Sequence, residues 1–165
     1  MIKKLQLNKE AIRIKRALIS VFDKTGLIDF AETLQGFNIE ILSTGGTAQT
    51  LKNGNVDVTD ITDYTKFPEI MNGRVKTINP LVSGGILGLR DRHDEEAKKN
   101  KIKWIDLVVC NLYPFSNVIS KEDCDDALAL ENIDIGGPTM IRSAAKNLGW
   151  VCVACLLYTS DAADE

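Results

Sequence analysis

Histidine is almost missing from this chain: the only one in 165 residues is His93. A Ser-His-Asp triad is therefore excluded unless that residue takes part, and no His/Cys cluster has metal-ligand spacing. His93 lies in a charge run, residues 90–96, that reads as an exposed helix face, and it is given no role. Basic excess is also missing. Lys and Arg number 20 against 23 Asp and Glu, a net charge of −3, which excludes a broad basic field for nucleic acid or an anionic membrane. No apolar run approaches the roughly 18 residues of a membrane span, and the start Met1-Ile2-Lys3-Lys4-Leu5 lacks a signal-peptide core. The expectation is a cytoplasmic protein with a small-molecule partner. Cysteine is sparse, four in all, and Cys152-Val153-Ala154-Cys155 has neither a second pair nor a nearby histidine to complete a zinc site. It reads as core packing, and disulfides are not expected.

What the chain does have is alternation. Hydrophobic residues make up 44% and charged residues 26%, the balance of one globular core. An apolar run at 17–22 leads to a helical pattern at 25–35, with Leu27, Ile28, Ala31 and Leu34 on one face and Gly36 as a stop. A second unit follows: a strand at 39–42, a Gly-rich turn, a short helix ended by Asn53-Gly54, and a strand at 56–61. Residues 84–89 read as a further short strand, 91–101 as a charged surface helix, and 105–110 as a central parallel strand. Helices are expected at 122–131 and from Pro138 to Asn147, then a strand at 150–154. Strands alternating with helices predict an α/β fold with a mostly parallel, doubly wound sheet, whose ligands bind at the carboxyl ends of the strands.

The unusual residues collect at those ends. Asp23-Lys24-Thr25-Gly26, Ser43-Thr44-Gly45-Gly46-Thr47 and Asn111-Leu112-Tyr113-Pro114-Phe115 each follow a predicted strand. Glycines at 45 and 46 let backbone N–H groups approach an anion, and hydroxyls at 43, 44 and 47 add donors beside a helix start. The same stretch also fits an ordinary glycine turn with Ser/Thr caps. Arg74 and Lys76 would project to one side of an extended segment as a second anion contact; a lone R-x-K is more often a solvated loop. Asp134 precedes a helix carrying Arg142 and Lys146 four residues apart, and it reads equally as that helix's cap.

Taken together, S-T-G-G-T at 43–47, D-Y-T-K-F-P-E-I-M-N-G-R-V-K-T at 63–77, N-L-Y-P-F at 111–115, E-N-I-D-I-G-G-P-T at 131–139 and A-A-K-N at 144–147 resemble the IMP cyclohydrolase domain. That domain is the N-terminal half of the bifunctional purine-biosynthesis enzyme that also carries AICAR transformylase. The resemblance implies a methylglyoxal-synthase-like α/β/α sandwich and closure of the formylated ribotide FAICAR to IMP with loss of water. It implies that Ser20, Lys24, Arg74, Thr77 and residues 43–47 hold the 5′-phosphate. It places Lys76, Tyr113, Asp134 and Lys146 in catalysis: Lys76 and Tyr113 moving protons at the ring-closing end, Asp134 and Lys146 orienting the formyl group. Backbone N–H groups around Asn111, Ile135, Gly136 and Gly137 would recognise the base and the oxyanion. No cofactor is implied for ring closure; 10-formyltetrahydrofolate would serve only the transformylase half. The implied partners are FAICAR and IMP, and a homodimer of the full-length enzyme.

The chain departs from that family at particular positions. Asn79 and Ser83 stand where two histidines are usual, so any phosphate affinity owed to imidazolium would weaken. Phe22 replaces a usual serine, with loss of one hydroxyl. Residues 1–15 read as an extension and 16–154 as the domain. Residues 155–165 read as a non-native tail on a fragment that lacks the transformylase half. The same fold also serves regulatory ligand-binding modules and methylglyoxal synthase, a phosphate-eliminating lyase, so the fold alone leaves those alternatives open.

Overall fold

The computed structural model describes residues 7–155. Five strands form one parallel sheet in the order β3-β2-β1-β4-β5: β1 Arg16–Ser20, β2 Glu40–Ser43, β3 Thr59–Asp60, β4 Leu107–Cys110 and β5 Cys152–Ala154. Among the described residues, eight α-helices accompany them: α1 Leu27–Gly36, α2 Gly45–Asn53, α3 Ile61–Thr65, α4 Pro80–Leu87, α5 Asp94–Lys99, α6 Phe115–Ile119, α7 Asp126–Glu131 and α8 Gly136–Lys146. The protein is a three-layer α/β/α sandwich.

Side-chain alternation along β1 shows why both sheet faces are covered. Ala17 and Ile19 point into one core with Leu27, Ala31 and Leu34 of α1 and Leu51 of α2. Leu18 points into the other, with Ile61, Val82, Ile86 and Met140 from α3, α4 and α8. All four residues of β4 are buried, as expected of an inner parallel strand. Burying each such Leu, Ile or Val contributes about 1.5–3 kcal/mol. The chain winds from β1 outward through β2 to β3, then returns to place β4 on the other side of β1. That reversal between β1 and β4 opens a crevice at their carboxyl ends.

Several elements differ from expectation. Residues 84–89, expected as a strand, belong mostly to α4. The Asn79 side chain accepts from Leu81 N at 2.8 Å and Pro80 occupies the first helical turn, a strong start signal. Gly85 then lets the helix press against Lys103, whose carbonyl oxygen lies 2.7 Å from where a Cβ would be. The strand expected at 56–61 shrinks to Thr59–Asp60, because the Asp60 carboxylate caps α3 through Thr62 N at 3.0 Å. Gly36 ends α1 from within, and Asn38 is the left-handed residue (φ 58°) beyond it. The charged helix 91–101 contracts to α5 because His93 turns the chain, its Nδ1 accepting from Leu89 N at 3.0 Å. His93 is half-buried in that turn rather than part of an exposed face. The helix at 122–131 contracts to α7, and α6 is an unforeseen turn after Pro114. Cys152 and Cys155 are exposed, so core packing does not account for them; Cys110 is buried. The tail beyond Cys155 lies outside the described residues.

A buried ionic network closes the opposite edge of the sheet, where strands begin. Asp106 accepts from Lys15 N (2.6 Å) and Arg16 N (2.9 Å) and pairs with Arg90 at 2.7 Å. The Arg90 guanidinium lies between Trp104 and Trp150, 5.9 and 5.7 Å from their ring centroids.

Candidate functional site

The loops at the carboxyl ends of β1, β2 and β4, the segment 72–78 and the start of α8 enclose one cavity of about 760 Å³. Its volume lies in the range of roughly 300–1,000 Å³ usual for small-molecule sites.

Side-chain clamps hold the loop after β1. Thr47 Oγ1 accepts from Val21 N at 3.1 Å and donates to Val21 O at 2.9 Å. Asn111 Oδ1 accepts from Phe22 N at 2.6 Å and Asp23 N at 3.2 Å, while its Nδ2 donates to Asp23 O at 2.9 Å. The crevice between β1 and β4 is thus stitched at its base by one amide. Asp23 in turn accepts from Thr25 N and Thr25 Oγ1, bonds that hold its carboxyl below the usual range, and this turn starts α1.

The turn after β2 carries two different jobs. Ser43, expected as a phosphate donor, is fully buried; its Oγ donates to Ile19 O at 2.8 Å, and it does not line the cavity. Thr47 lines the cavity, but its hydroxyl is committed to Val21. Two of the three hydroxyls are therefore stitches to β1, a correction to the expectation that all three serve a ligand. What faces the cavity is Thr44, Gly45 and Gly46 at the start of α2, an end with no side-chain cap. Gly45 adopts φ 55°, a left-handed conformation that favours glycine. A Cβ there would sit 3.5 Å from Lys76 Nζ, and one on Gly46 would sit 4.0 Å from Lys24 Cε. Both cations accordingly stand beside this helix N-terminus, where backbone N–H groups and helix dipole favour an anion. Lys24 Nζ also donates to Phe22 O at 3.0 Å.

Arg74 and Lys76 line the cavity, though not from an extended strand. Residues 70–75 form a tight hairpin closed by the Ile70–Val75 bridge, with Met71, Asn72 and Gly73 all at positive φ. Lys76 pairs with Glu69 at 2.9 Å, and Arg74 pairs with Glu131 of α7 in a mostly exposed contact. That guanidinium holds the Glu131 carboxyl below its usual range. The contact is therefore complete above the ordinary glutamate range and is lost as pH falls through the depressed value. Glu69 and Glu131 were missed by sequence reasoning; no spacing rule links either to its partner.

At the start of α8, Asp134 Oδ1 accepts from Gly137 N at 2.9 Å, so the capping reading holds while the carboxylate still lines the cavity. A Cβ on Gly137 would come within 2.5 Å of Asp134 Oδ2, and one on Gly136 within 3.2 Å of Thr77 Oγ1. Ile135, Gly136 and Gly137 line this wall, while Ser20, Asn111 and Tyr113 line that of β1 and β4. Tyr113 meets Phe22 edge to face, ring centroids 4.5 Å apart and planes at 76°. Cys110 lies at the floor; burial, then the Asp134 charge, pushes its thiol up to about 12.

Lys146 is not brought to the cavity. It is the last residue of α8, exposed, six residues beyond Met140, which lines the cavity, and so about 9 Å farther along the helix. There it stands at the helix's negative end, off the cavity wall. Its neighbour Asn147 is buried and donates from Nδ2 to Ile86 O (2.6 Å) and Gly88 O (3.1 Å), so this part of A-A-K-N fastens α4. Asn79 and Ser83 also lie off the cavity wall.

Among the described residues, no group of His, Cys, Asp or Glu is placed to hold a metal, and no helix is long and apolar enough to cross a membrane. Residues 26–139 match the family described as "MGS-like domain". A solved structure titled "Crystal structure of ForH" is 31% identical, with a TM-score of 0.71; the match covers 85% of this chain and 74% of that one.

Proposed function

The chain belongs to the MGS-like domain family, and from that premise we propose that it is an IMP cyclohydrolase, closing FAICAR to IMP with release of water. The observation that carries this reading is the convergence of Lys76, Tyr113 and Asp134, from three separate segments, on one cavity whose wall includes the Gly45-Gly46 helix start. The anionic end of the nucleotide sits on that helix start, with Lys24 and Lys76 beside it. The base lies across the crevice toward Tyr113 and the start of α8.

Ring closure joins the carboxamide nitrogen to the formyl carbon of the same molecule, so holding the reactive rotamer supplies much of the advantage. The carboxamide nitrogen gives up one proton as it attacks, the formamido nitrogen gives up another as its double bond to the formyl carbon forms, and the formyl oxygen leaves with both as water. Tyr113 handles the proton leaving the carboxamide nitrogen, while Lys76, whose ammonium stands at the Gly45 end of the cavity, serves the anion there rather than the ring-closing end expected of it. Asp134, fixed by its bond to Gly137 N, orients the formyl group and, as a carboxylate, relays a proton released by nitrogen to the departing oxygen. The remaining N–H groups at the start of α8 stabilise the oxyanion.

Incubation of the purified chain with FAICAR, followed by absorbance and chromatography for IMP, tests the reading. IMP formation that is lost in Asp134→Ala with nucleotide binding retained supports it. Tight IMP binding without turnover would instead favour a regulatory module, and methylglyoxal formation from dihydroxyacetone phosphate would favour a lyase.

A further inference from the structure

Phe22 is unusual in how firmly its backbone is held for a residue whose side chain is half exposed. Its N–H donates to Asn111 Oδ1 at 2.6 Å and its carbonyl accepts from Lys24 Nζ at 3.0 Å. The preceding residue, Val21, has both backbone groups bound to the Thr47 hydroxyl. The ring therefore projects from a fixed point, and it projects onto Tyr113, edge to face at 4.5 Å. It also lines both the main cavity and a neighbouring one of about 540 Å³ that Asp23, Pro114 and Asn117 help to wall. Tyr113 lines only the first.

We propose that Phe22 is a positioning residue: it fixes the tilt of the Tyr113 ring, and hence where its hydroxyl meets the substrate. The inference rests on the cyclohydrolase reading for its kinetic consequence only. A phenol on a loop is free to rotate about two side-chain bonds, and an edge-to-face neighbour removes most of that freedom. A side chain at position 22 without a ring would leave the tilt undefined.

The test uses Phe22→Leu and Phe22→Tyr, compared with the unchanged chain. The first readout is the ¹⁹F resonance of Tyr113 in 3-fluorotyrosine-labelled protein, assigned by its disappearance in Tyr113→Phe. It is expected to move and broaden in Phe22→Leu and to return toward its original position in Phe22→Tyr. The second is FAICAR closure: Phe22→Leu is expected to lower kcat roughly 2- to 12-fold with KM unchanged. That is the factor to which an aromatic pair of about 0.5–1.5 kcal/mol corresponds. Phe22→Tyr should restore it. An unmoved resonance in Phe22→Leu, or a loss confined to KM, overturns the proposal. If the unchanged chain makes no IMP, the cyclohydrolase reading fails, and the resonance alone decides whether Phe22 positions Tyr113.

Discussion

Replacing Asp106 by asparagine removes one charge from the start of the sheet and should be among the most damaging single-atom changes available to this chain. The carboxylate is almost wholly buried, 3% exposed, and each oxygen is committed: Oδ2 to the N–H groups of Lys15 and Arg16, Oδ1 to Arg90. Asparagine has one acceptor to offer. Turned toward β1, it presents an amide NH₂ to the guanidinium; turned toward Arg90, it presents NH₂ to two backbone donors. Either way a donor faces a donor, and Arg90, packed between two indoles, keeps a charge without its counter-ion. Breaking a buried pair from one side costs about 3–5 kcal/mol. A domain of this size loses roughly 2–4 °C of Tm per kcal/mol, so the midpoint should fall by about 6–20 °C. Urea unfolding followed by far-UV circular dichroism measures the loss, with an unchanged slope confirming that stability alone has moved. Arg90→Met combined with Asp106→Leu should recover part of it, since two apolar side chains need no partner. A loss below about 1 kcal/mol would refute the argument, because it would put the pair in the class of surface ion pairs.

Other outcomes follow from the site. Thr47→Val should cost roughly 1–3 kcal/mol and weaken anion binding, since Val21 loses partners for both backbone groups; calorimetry with inorganic phosphate checks the second part. Glu69→Gln should raise phosphate affinity by up to about 5-fold, the worth of a half-exposed ion pair on Lys76. Lys146→Ala should leave IMP affinity unchanged, whereas Asn147→Ala should lower stability by about 1–3 kcal/mol through the stranded carbonyls of Ile86 and Gly88. Cys110, with its thiol at about 12, should resist iodoacetamide at pH 8 while exposed Cys152 and Cys155 react; mass spectrometry of the native protein reads this out.

The layers of this fold were legible because period-2 and period-3.6 patterns alternate cleanly from Ala17 through Leu51, and because the strand 107–110 is apolar throughout. The segment at 84–89 misled because a short apolar run looks the same in a strand and in a buried helix; only Asn79 and Pro80, five and four residues upstream, carried the helical signal. The site was legible as a set of turns, yet the work of individual hydroxyls was not. Ser43 and Thr47 look like ligand donors in sequence, and their carbonyl partners, Ile19 on β1 and Val21 just after it, become visible only once the strands are side by side. Lys146 misled for the opposite reason: helical spacing fixes its face of α8 but not its distance from the cavity.

The chain's only two indoles, Trp104 and Trp150, both lie near Arg90 at the pole of the sheet opposite the candidate-site crevice. Their emission should consequently track unfolding of the strand-starting edge and stay silent when a ligand enters. A fluorescence titration that shows nothing would thus say little about occupancy, and the tyrosine beside Phe22 is the chromophore to watch.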